Sequence, residues 1–416
     1  MYRPVARAAT ACALALTLLG SAATLAQHAP GPPAFSTPTP TAEAPATMTA
    51  ATPAASTVIG NVRAFSVKGQ PVAMSPDGKW LAGPGPERDF CIWDVATLEP
   101  RCAADRNPMA VQLETVTWAP DSSAVAFSLD AARLLVDSDI YVMDTDGTLH
   151  DLTDDHDAAR PSLDADAPPA VIDMYPAWSP DSQQLIFERT MWGGGAKNTT
   201  LAVVGRDGGE PAERFTVSPQ EPFVIYSPIH WLDDGSVVFT VLHADPSNQQ
   251  NGIWRLTATG GVERIIRGDE AADIPMPFVN AVSPDGMLAT VMSYSRANQY
   301  AVGGEPVYFI VNLKTGEIVP LSSTEPVPLV RLLAPGTFLP DGSGVVSVES
   351  DGNQISLVRF DLDGAVTGHA ALPEETGPPT WYRGLTVATD DTAFLPTVAT
   401  SDGDQRGGII FPVALP

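Results

Sequence analysis

The chain has 416 residues and a formal net charge of −26 at pH 7, from 49 acidic and 23 basic residues. A surface this acidic repels the phosphates of nucleic acids and the head groups of anionic lipids, so we expect neither as a partner. After the N-terminal segment no apolar run approaches the roughly 20 residues of a membrane-spanning helix, so we expect no transmembrane segment in the mature chain.

Residues 1–26 have the pattern of a secretory signal peptide. Arg3 and Arg7 form a basic start, residues 11–19 are mostly apolar, and residues 24–26 fit a cleavage site. We therefore predict that the protein is exported, either to the periplasm or out of the cell.

Residues 27–56 are rich in Pro, Ala and Thr and nearly uncharged. Such a composition cannot bury a core, and we predict a disordered tether. Residues 57–67 then read as a strand, with Val58, Phe65 and Val67 apolar, and they open a folded domain that we predict at residues 57–416.

Residues 115–153 contain four short apolar runs joined by turn sequences. Pro120-Asp121 and Asp146-Gly147 stand where the chain must reverse between runs. Each run has about the five residues of an average strand. A four-stranded unit of this size buries too little to be stable alone, so further copies are expected.

Copies of the first turn recur along the chain at intervals of roughly 50 residues. They are Pro76-Asp77, Pro180-Asp181, Asp233-Asp234, Pro284-Asp285, Pro340-Asp341 and a degenerate Asp390-Asp391. Repeats of this length predict an all-β fold, a β-propeller with seven four-stranded blades. Six or eight blades are the alternatives, because the sequence of the last copy is degenerate.

The last copy lacks one strand. Residues 381–388, 392–398 and 409–415 supply only three apolar runs. The strand predicted at residues 57–67 would supply the fourth and close the ring, which would remove the exposed edges of an open array.

The recurring pattern Trp-Ser-Pro-Asp, Ile-Ala-Phe, Ile-Tyr-Val-Met-Asp, Asp-Gly and Leu-Thr resembles the repeat of TolB-like β-propellers, which are related to WD-repeat propellers. Residues 117–153 match it nearly throughout, and residues 177–207 match it well. The resemblance implies a propeller over about residues 57–416. It implies no particular site residue, because propellers with this repeat serve both in an envelope-spanning complex and beside peptidase domains.

The repeat assigns the connections to two faces. The Pro-Asp turns and the Asp-Gly-like turns lie on one face, which we call the turn face. The opposite loop face carries the long connections, which are residues 129–138, 153–174, 190–199, 242–252 and 293–305. Because binding residues usually lie on loops of a rigid scaffold, we predict the partner surface on the loop face.

Candidate binding residues on the loop face are aromatic or polar side chains outside the repeat. They are Trp192, His243, Tyr294, Arg296, Asn298 and Tyr300. Trp192 precedes three glycines, so we expect it on a flexible loop, the alternative being that it folds back on the ring. Trp, Tyr and Arg contribute most to protein–protein interfaces.

Residues that recur between copies are predicted to be structural. Trp118, Trp178 and Trp231 stand just before the turn and should pack between blades. The recurring aspartates should accept hydrogen bonds from turn amides, since no calcium-loop sequence accompanies them. The acidic stretch 154–166 is read as a solvated loop, with cation binding as the alternative. We predict no cofactor and no metal site.

Cys91 and Cys102 are the cysteines that follow the signal peptide. They fall on the third and fourth strands of the first unit, across or diagonal to each other. Export would permit a disulfide between them; two buried free thiols are the alternative.

The sequence carries no Gly-x-Ser-x-Gly nucleophile motif, phosphate loop or His-Glu-x-x-His motif. We therefore predict an exported, monomeric, non-catalytic binding or scaffold protein with a protein partner. The alternative is a propeller enzyme, a glycoside hydrolase, lyase or lactonase, that uses carboxylates at the channel mouth. Such an enzyme needs convergent acids with a perturbed pKa, whereas a scaffold needs an exposed apolar or aromatic patch.

Overall fold

The structure is a computed structural model. It describes residues 57–58, 63–86, 89–103, 111–128, 138–154, 166, 170–193, 196–216, 223–243, 245, 247–269, 274–293, 307–321, 331–332, 336–350, 354–372, 385–397 and 405–412. By its contacts the chain divides into residues 1–55 and residues 56–416, and all described residues belong to the second unit. The predicted signal peptide and tether lie outside the described residues.

The strands form seven sheets, the blades of a β-propeller. The only helix in the described part of the chain is a 3₁₀ turn at Leu113–Thr115, before blade 2. From the channel outward, blade 1 is Ala73–Met74, Trp80–Pro84, Phe90–Asp94 and Pro100–Cys102, and blade 2 is Thr117–Trp118, Ala124–Ser128, Ile140–Asp144 and Leu149–Asp151. Blade 3 is Ala170–Trp178, Gln184–Gly193, Ala196–Gly205 and Ala212–Thr216, and blade 4 is Phe223–Trp231, Val237–His243, Gly252–Leu256 and Val262–Arg267.

The last three blades complete the predicted seven. Blade 5 is Pro277–Val282, Leu288–Ser293, Val307–Asn312 and Ile318–Leu321. Blade 6 has an inner strand in two pieces, Arg331–Leu332 and Thr337–Phe338, followed by Val345–Ser350, Ile355–Phe360 and Val366–Ala371. Blade 7 is Thr386–Val387, Thr392–Thr397, Gln405–Pro412 and Arg63–Lys68. The predicted fold class is confirmed.

The N-terminal strand closes the ring, as predicted. Arg63–Lys68 pairs antiparallel with Gln405–Pro412 and forms the outer strand of blade 7. The prediction of one strand over residues 57–67 was wrong, because Thr57–Val58 is a separate strand, parallel to Val366–Ala371 of blade 6. The two pieces cannot be one strand, since each belongs to a different sheet.

Apolar packing between neighbouring blades forms the core. The described residues form seven buried apolar clusters, one at each blade interface. At the closure, Leu81 and Trp93 of blade 1 pack with Phe394 and Ile410 of blade 7. Second strands such as Ala124–Ser128 are buried along their whole length, because blades cover both of their faces. The ring is therefore stabilised mainly by side-by-side packing of blades.

Two of the recurring tryptophans bridge inner strands of neighbouring blades. The indole Nε1 of Trp178 donates a hydrogen bond to the Thr117 carbonyl oxygen at 3.1 Å, and that of Trp118 donates to Ala73 at 3.4 Å. Both side chains are buried. Trp231 is only partly buried and packs against the cluster between blades 3 and 4.

One aspartate in each blade stabilises the turn between the first two strands. Its Oδ1 accepts a hydrogen bond, 2.8–3.1 Å long, from the backbone N–H two residues later. These turn aspartates are Asp77, Asp121, Asp181, Asp234, Asp285, Asp341 and Asp390. The carboxylate thus replaces a backbone partner that the tight turn cannot supply.

We expect the protein to lose stability in acid because of these turns. Hydrogen bonds from the hydroxyls of Ser179 and Ser283, together with backbone amides, hold the pKa of Asp181 and Asp285 below its usual value. Such a carboxyl stabilises the fold above the unfolded pKa of about 3.9, and the contribution is lost as the pH falls through the folded pKa. Calorimetry should show Tm falling progressively below about pH 4.

The variant Asp181→Asn/Asp285→Asn tests this reason. Asn keeps an acceptor oxygen but cannot ionise, so at pH 7 the Tm of the variant should lie below that of the wild type. At pH 3 the difference should shrink, because wild-type carboxyls are then becoming protonated. An equal Tm difference at both pH values would contradict the explanation.

Candidate functional site

The central channel opens on the turn face as a cavity of about 430 Å³. Inner strands of blades 1, 2, 5, 6 and 7 line it. Its apolar walls include Met74, Val116, Trp118, Val282, Phe338 and Val387, and its rim includes the turn prolines Pro76, Pro284 and Pro340. A cavity of this size lies within the range of small-ligand pockets, about 300–1,000 Å³.

The described lining of this cavity contains no ionisable side chain. Its polar side chains are hydroxyls, those of Thr117, Thr337, Thr386 and Thr389. The Thr386 hydroxyl oxygen is buried and has no hydrogen-bond partner within the described part of the chain. This lining can accept an apolar group and a hydrogen bond, but it provides no acid or base.

His230 lies on the inner strand of blade 4 and is not among the described residues that line the cavity. Burial lowers the pKa of His230 to about 4, although a hydrogen bond with the Asn280 backbone opposes the shift. The imidazole is therefore neutral at pH 7. Its buried Nε2 has no hydrogen-bond partner among the described residues.

The second and third strands of blade 3 extend further toward the loop face than the corresponding described strands of its neighbours. Gln184–Gly193 and Ala196–Gly205 each have 10 residues, against 5 in Ala124–Ser128 of blade 2. At about 3.3 Å per residue, these strands are roughly 16 Å longer than that strand of blade 2. The prediction of loops at 153–174 and 190–199 was therefore wrong in part, because strand pairing continues through Ala170–Met174 and to both sides of the hairpin tip.

Trp192 lies on this strand and not on a flexible loop. It stands opposite Ala170 on one side and Lys197 on the other. Its side chain is partly buried. Strand pairing fixes the backbone at Trp192 and part of the side chain is accessible, which is a geometry suited to binding.

A buried polar network supports the projecting hairpin. Asp173 and Arg189 lie opposite each other, and the Arg189 guanidinium donates to both carboxylate oxygens at 2.8 and 2.6 Å. Asp173 is only 1% exposed. The Thr190 hydroxyl donates to Glu188 Oε1 at 3.0 Å. A bidentate ion pair with this burial fixes the pairing of the two strands, since any slip would leave a buried charge unpaired.

His243 ends the second strand of blade 4. Its imidazole Nδ1 accepts a hydrogen bond from the Asp245 backbone N–H at 2.9 Å, and the backbone N–H of His243 donates to Asn251 Oδ1 at 2.6 Å. The residue thus shapes the turn that follows it. The other loop-face candidates, Tyr294, Arg296, Asn298 and Tyr300, lie outside the described residues.

Cys91 and Cys102 are joined by a disulfide across the outer hairpin of blade 1. They stand directly opposite each other, with their Cα atoms 4.0 Å apart. Asp89 lies close to both sulfurs, and these three residues are the one group among the described residues with metal-binding proximity. Sulfurs bonded to each other are not thiolates, so this group is not a thiolate metal site.

No protein-family model and no curated protein matches the chain. Solved structures do. TolB from Acinetobacter baumannii is 18% identical with a TM-score of 0.43, and the match covers 68% of this chain and 59% of that chain. An oligogalacturonate lyase from Vibrio parahaemolyticus is 12% identical with a TM-score of 0.54, covering 86% and 96% of the two chains. The WD40 repeats of RRP9 are 9% identical with a TM-score of 0.52, covering 86% and 98%.

TolB and WD40-repeat proteins are thus both among the similar structures. The WD40 match, with its TM-score of 0.52, agrees with the predicted propeller fold. Identities this low establish the fold alone, and propellers serve many functions. The similar structures include both a lyase and WD40-repeat proteins, so the function must be inferred from the surfaces of this chain. None of the described residues forms a helix with the length and apolar character that a membrane span requires.

Proposed function

We propose that this protein is an exported, non-catalytic binding or scaffold propeller whose loop face holds a protein partner. The observation that carries the proposal is the projecting hairpin of blade 3. It presents Trp192 on a strand ladder, and the buried Asp173–Arg189 pair keeps that ladder in register. A pre-ordered aromatic side chain binds with little loss of conformational entropy, which favours recognition.

The charges of the described residues support binding over catalysis. Catalysis by paired carboxyls needs one group whose pKa is raised so that it can donate a proton. Eight aspartates in the turns of the blades have a lowered pKa, as at Asp181, where the Ser179 hydroxyl and the Gln183 amide bind the ionised form. These carboxylates stabilise turns, and none of them has the raised pKa that the general acid of the enzyme alternative requires.

Export and a monomeric state belong to the same proposal. The Cys91–Cys102 disulfide supports export, since disulfides persist in oxidising compartments. The closed ring supports a monomer, because closure leaves no blade that needs a second chain to complete it.

The test is capture and then affinity. The purified protein would capture a partner from the envelope fraction of its source cells, mass spectrometry would identify it, and calorimetry with the purified pair would give Kd. Trp192→Ala should raise Kd roughly thirtyfold. An interface tryptophan often contributes about 2 kcal/mol to binding, and each 1.4 kcal/mol changes Kd tenfold. Tm should change little, because the side chain is only partly buried.

The control is Lys79→Ala/Thr148→Ala on the turn face, which should bind this partner like the wild type. If Trp192→Ala binds normally while the control variant fails, the partner does not use the loop face.

A further inference from the structure

The turn face carries a ring of carboxylates around the channel mouth. Each blade contributes one turn aspartate, and Asp233 and Asp391 stand beside two of them. Within the seven turns at residues 75–79, 119–123, 179–183, 232–236, 283–287, 339–343 and 388–392, all described, the only basic side chain is that of Lys79. These seven turns together are therefore strongly anionic.

Cations neutralise the ring only in part. Lys79 pairs with Asp77 at 2.9 Å, and Arg206 lies 3.8 Å from Asp121. Arg255 and Arg359 act on Asp234 and Asp341 through their charge. Asp181 and Asp285 have no cationic partner in the part of the chain that the structure describes. Both are exposed and hydrogen-bonded in the ionised form, so they remain charged at pH 7.

The ring and the apolar cavity are neighbours in sequence and space. Pro76, Pro284 and Pro340 line the cavity, and each immediately precedes a turn aspartate. Met287, the last residue of the blade 5 turn, has an exposed side chain that is 39% accessible. The mouth therefore offers an apolar floor inside an anionic rim.

We propose that this mouth binds a basic peptide segment of a protein partner, with an apolar side chain in the cavity and flanking Lys or Arg side chains on the turn aspartates. The charge of the rim selects the partner's charge, and the lining selects what enters the cavity. The site lies on the face opposite Trp192, so it stands or fails independently of the loop-face proposal.

A bound metal ion explains the ring less well. Each turn aspartate already uses Oδ1 to accept a backbone N–H, and the aspartates are distributed one to a blade around the mouth. A divalent cation needs several oxygens within about 2.5 Å of one point. A peptide with spaced cations fits carboxylates that are spread out.

Three blocked hexapeptides with a fluorescent label test the proposal by anisotropy and calorimetry. The first, Lys-Arg-Leu-Leu-Arg-Lys, should bind with 1:1 stoichiometry. It should bind at least tenfold more tightly than Lys-Arg-Gly-Gly-Arg-Lys, which lacks the apolar group, and than Glu-Asp-Leu-Leu-Asp-Glu, which reverses the charge. Binding should weaken as ionic strength rises, because exposed charges are screened. No binding of the first peptide, or equal binding of all three, would overturn the proposal.

Protein variants locate the site. Asp285→Asn/Asp341→Asn keeps the acceptor oxygen of each turn and should weaken the binding of the first peptide roughly fivefold. The matched control is Asp146→Asn/Asp363→Asn, with the same change of charge on outer turns of the same face, and it should change affinity less than twofold. Thr117→Arg adds bulk and positive charge to the cavity and should reduce affinity more than tenfold.

Thermal unfolding of each variant separates lost binding from lost folding. If Thr117→Arg does not fold, the two asparagine variants still decide the matter. Equal effects of those two variants would mean that the peptide responds to net charge and not to the channel mouth, and the site would be rejected.

Discussion

Removing residues 1–68 is expected to lower Tm by about 10 °C. This truncation removes Arg63–Lys68, the outer strand of blade 7, and exposes the edge of Gln405–Pro412. It also removes Val67, which packs between blades 7 and 1, and Phe65, which stacks on Phe394. Each buried side chain contributes about 1.5–3 kcal/mol, and 1 kcal/mol shifts the Tm of a large domain by roughly 2 °C or more.

Two shorter truncations act as controls. Removing residues 1–55 should leave Tm unchanged, because it spares both N-terminal strands. Removing residues 1–62 also deletes Thr57–Val58, which forms only two residue pairs with blade 6, and should cost little. If all three truncated proteins melt together, Arg63–Lys68 does not close the ring.

Trp178→Ala is expected to destabilise the protein by about 3–5 kcal/mol. The indole is 5% exposed, packs in the cluster between blades 2 and 3, and donates to the Thr117 carbonyl oxygen. Alanine would leave a cavity at the blade interface and an inner-strand carbonyl without its partner. Chemical denaturation followed by tryptophan fluorescence and circular dichroism would give the change in unfolding free energy.

Two variants divide that loss into its causes. Trp178→Phe keeps most of the packing and should cost about 1 kcal/mol for the hydrogen bond. Trp254→Ala removes a less buried indole whose Nε1 donates within its own blade, to Gln250 at 2.9 Å, and should cost less than Trp178→Ala. A loss at Trp254 as large as that at Trp178 would argue against a special role for the inter-blade position.

Local and periodic features of this protein could be predicted from its sequence. The Pro-Asp turns specify where strands reverse, and a turn aspartate acts on the amide two residues later, within the same few residues. The blade number follows from counting these turns. The closing strand follows from one missing run at the C-terminal end and one surplus run at residue 57, although the break between Thr57–Val58 and Arg63–Lys68 does not.

The candidate sites were harder to predict, because they depend on contacts between distant residues. The glycines at the tip of the blade 3 hairpin indicate a loop, yet strand pairing continues to Gly193. Lower in the same blade, Asp173 and Arg189 on neighbouring strands form a buried ion pair that supports the hairpin. No local pattern around Trp192 carries that information.

The repeat, the turns and the order of strands can be predicted from the sequence, because they depend on residues close together in the chain. The chemical character of the channel mouth, in contrast, depends on the folded ring. Val116, Val282 and Phe338 belong to three different blades and form one apolar cavity only when the ring closes. Closure likewise brings the seven turn aspartates, each explained locally by its own turn, into one anionic rim whose charge is a property of the whole ring.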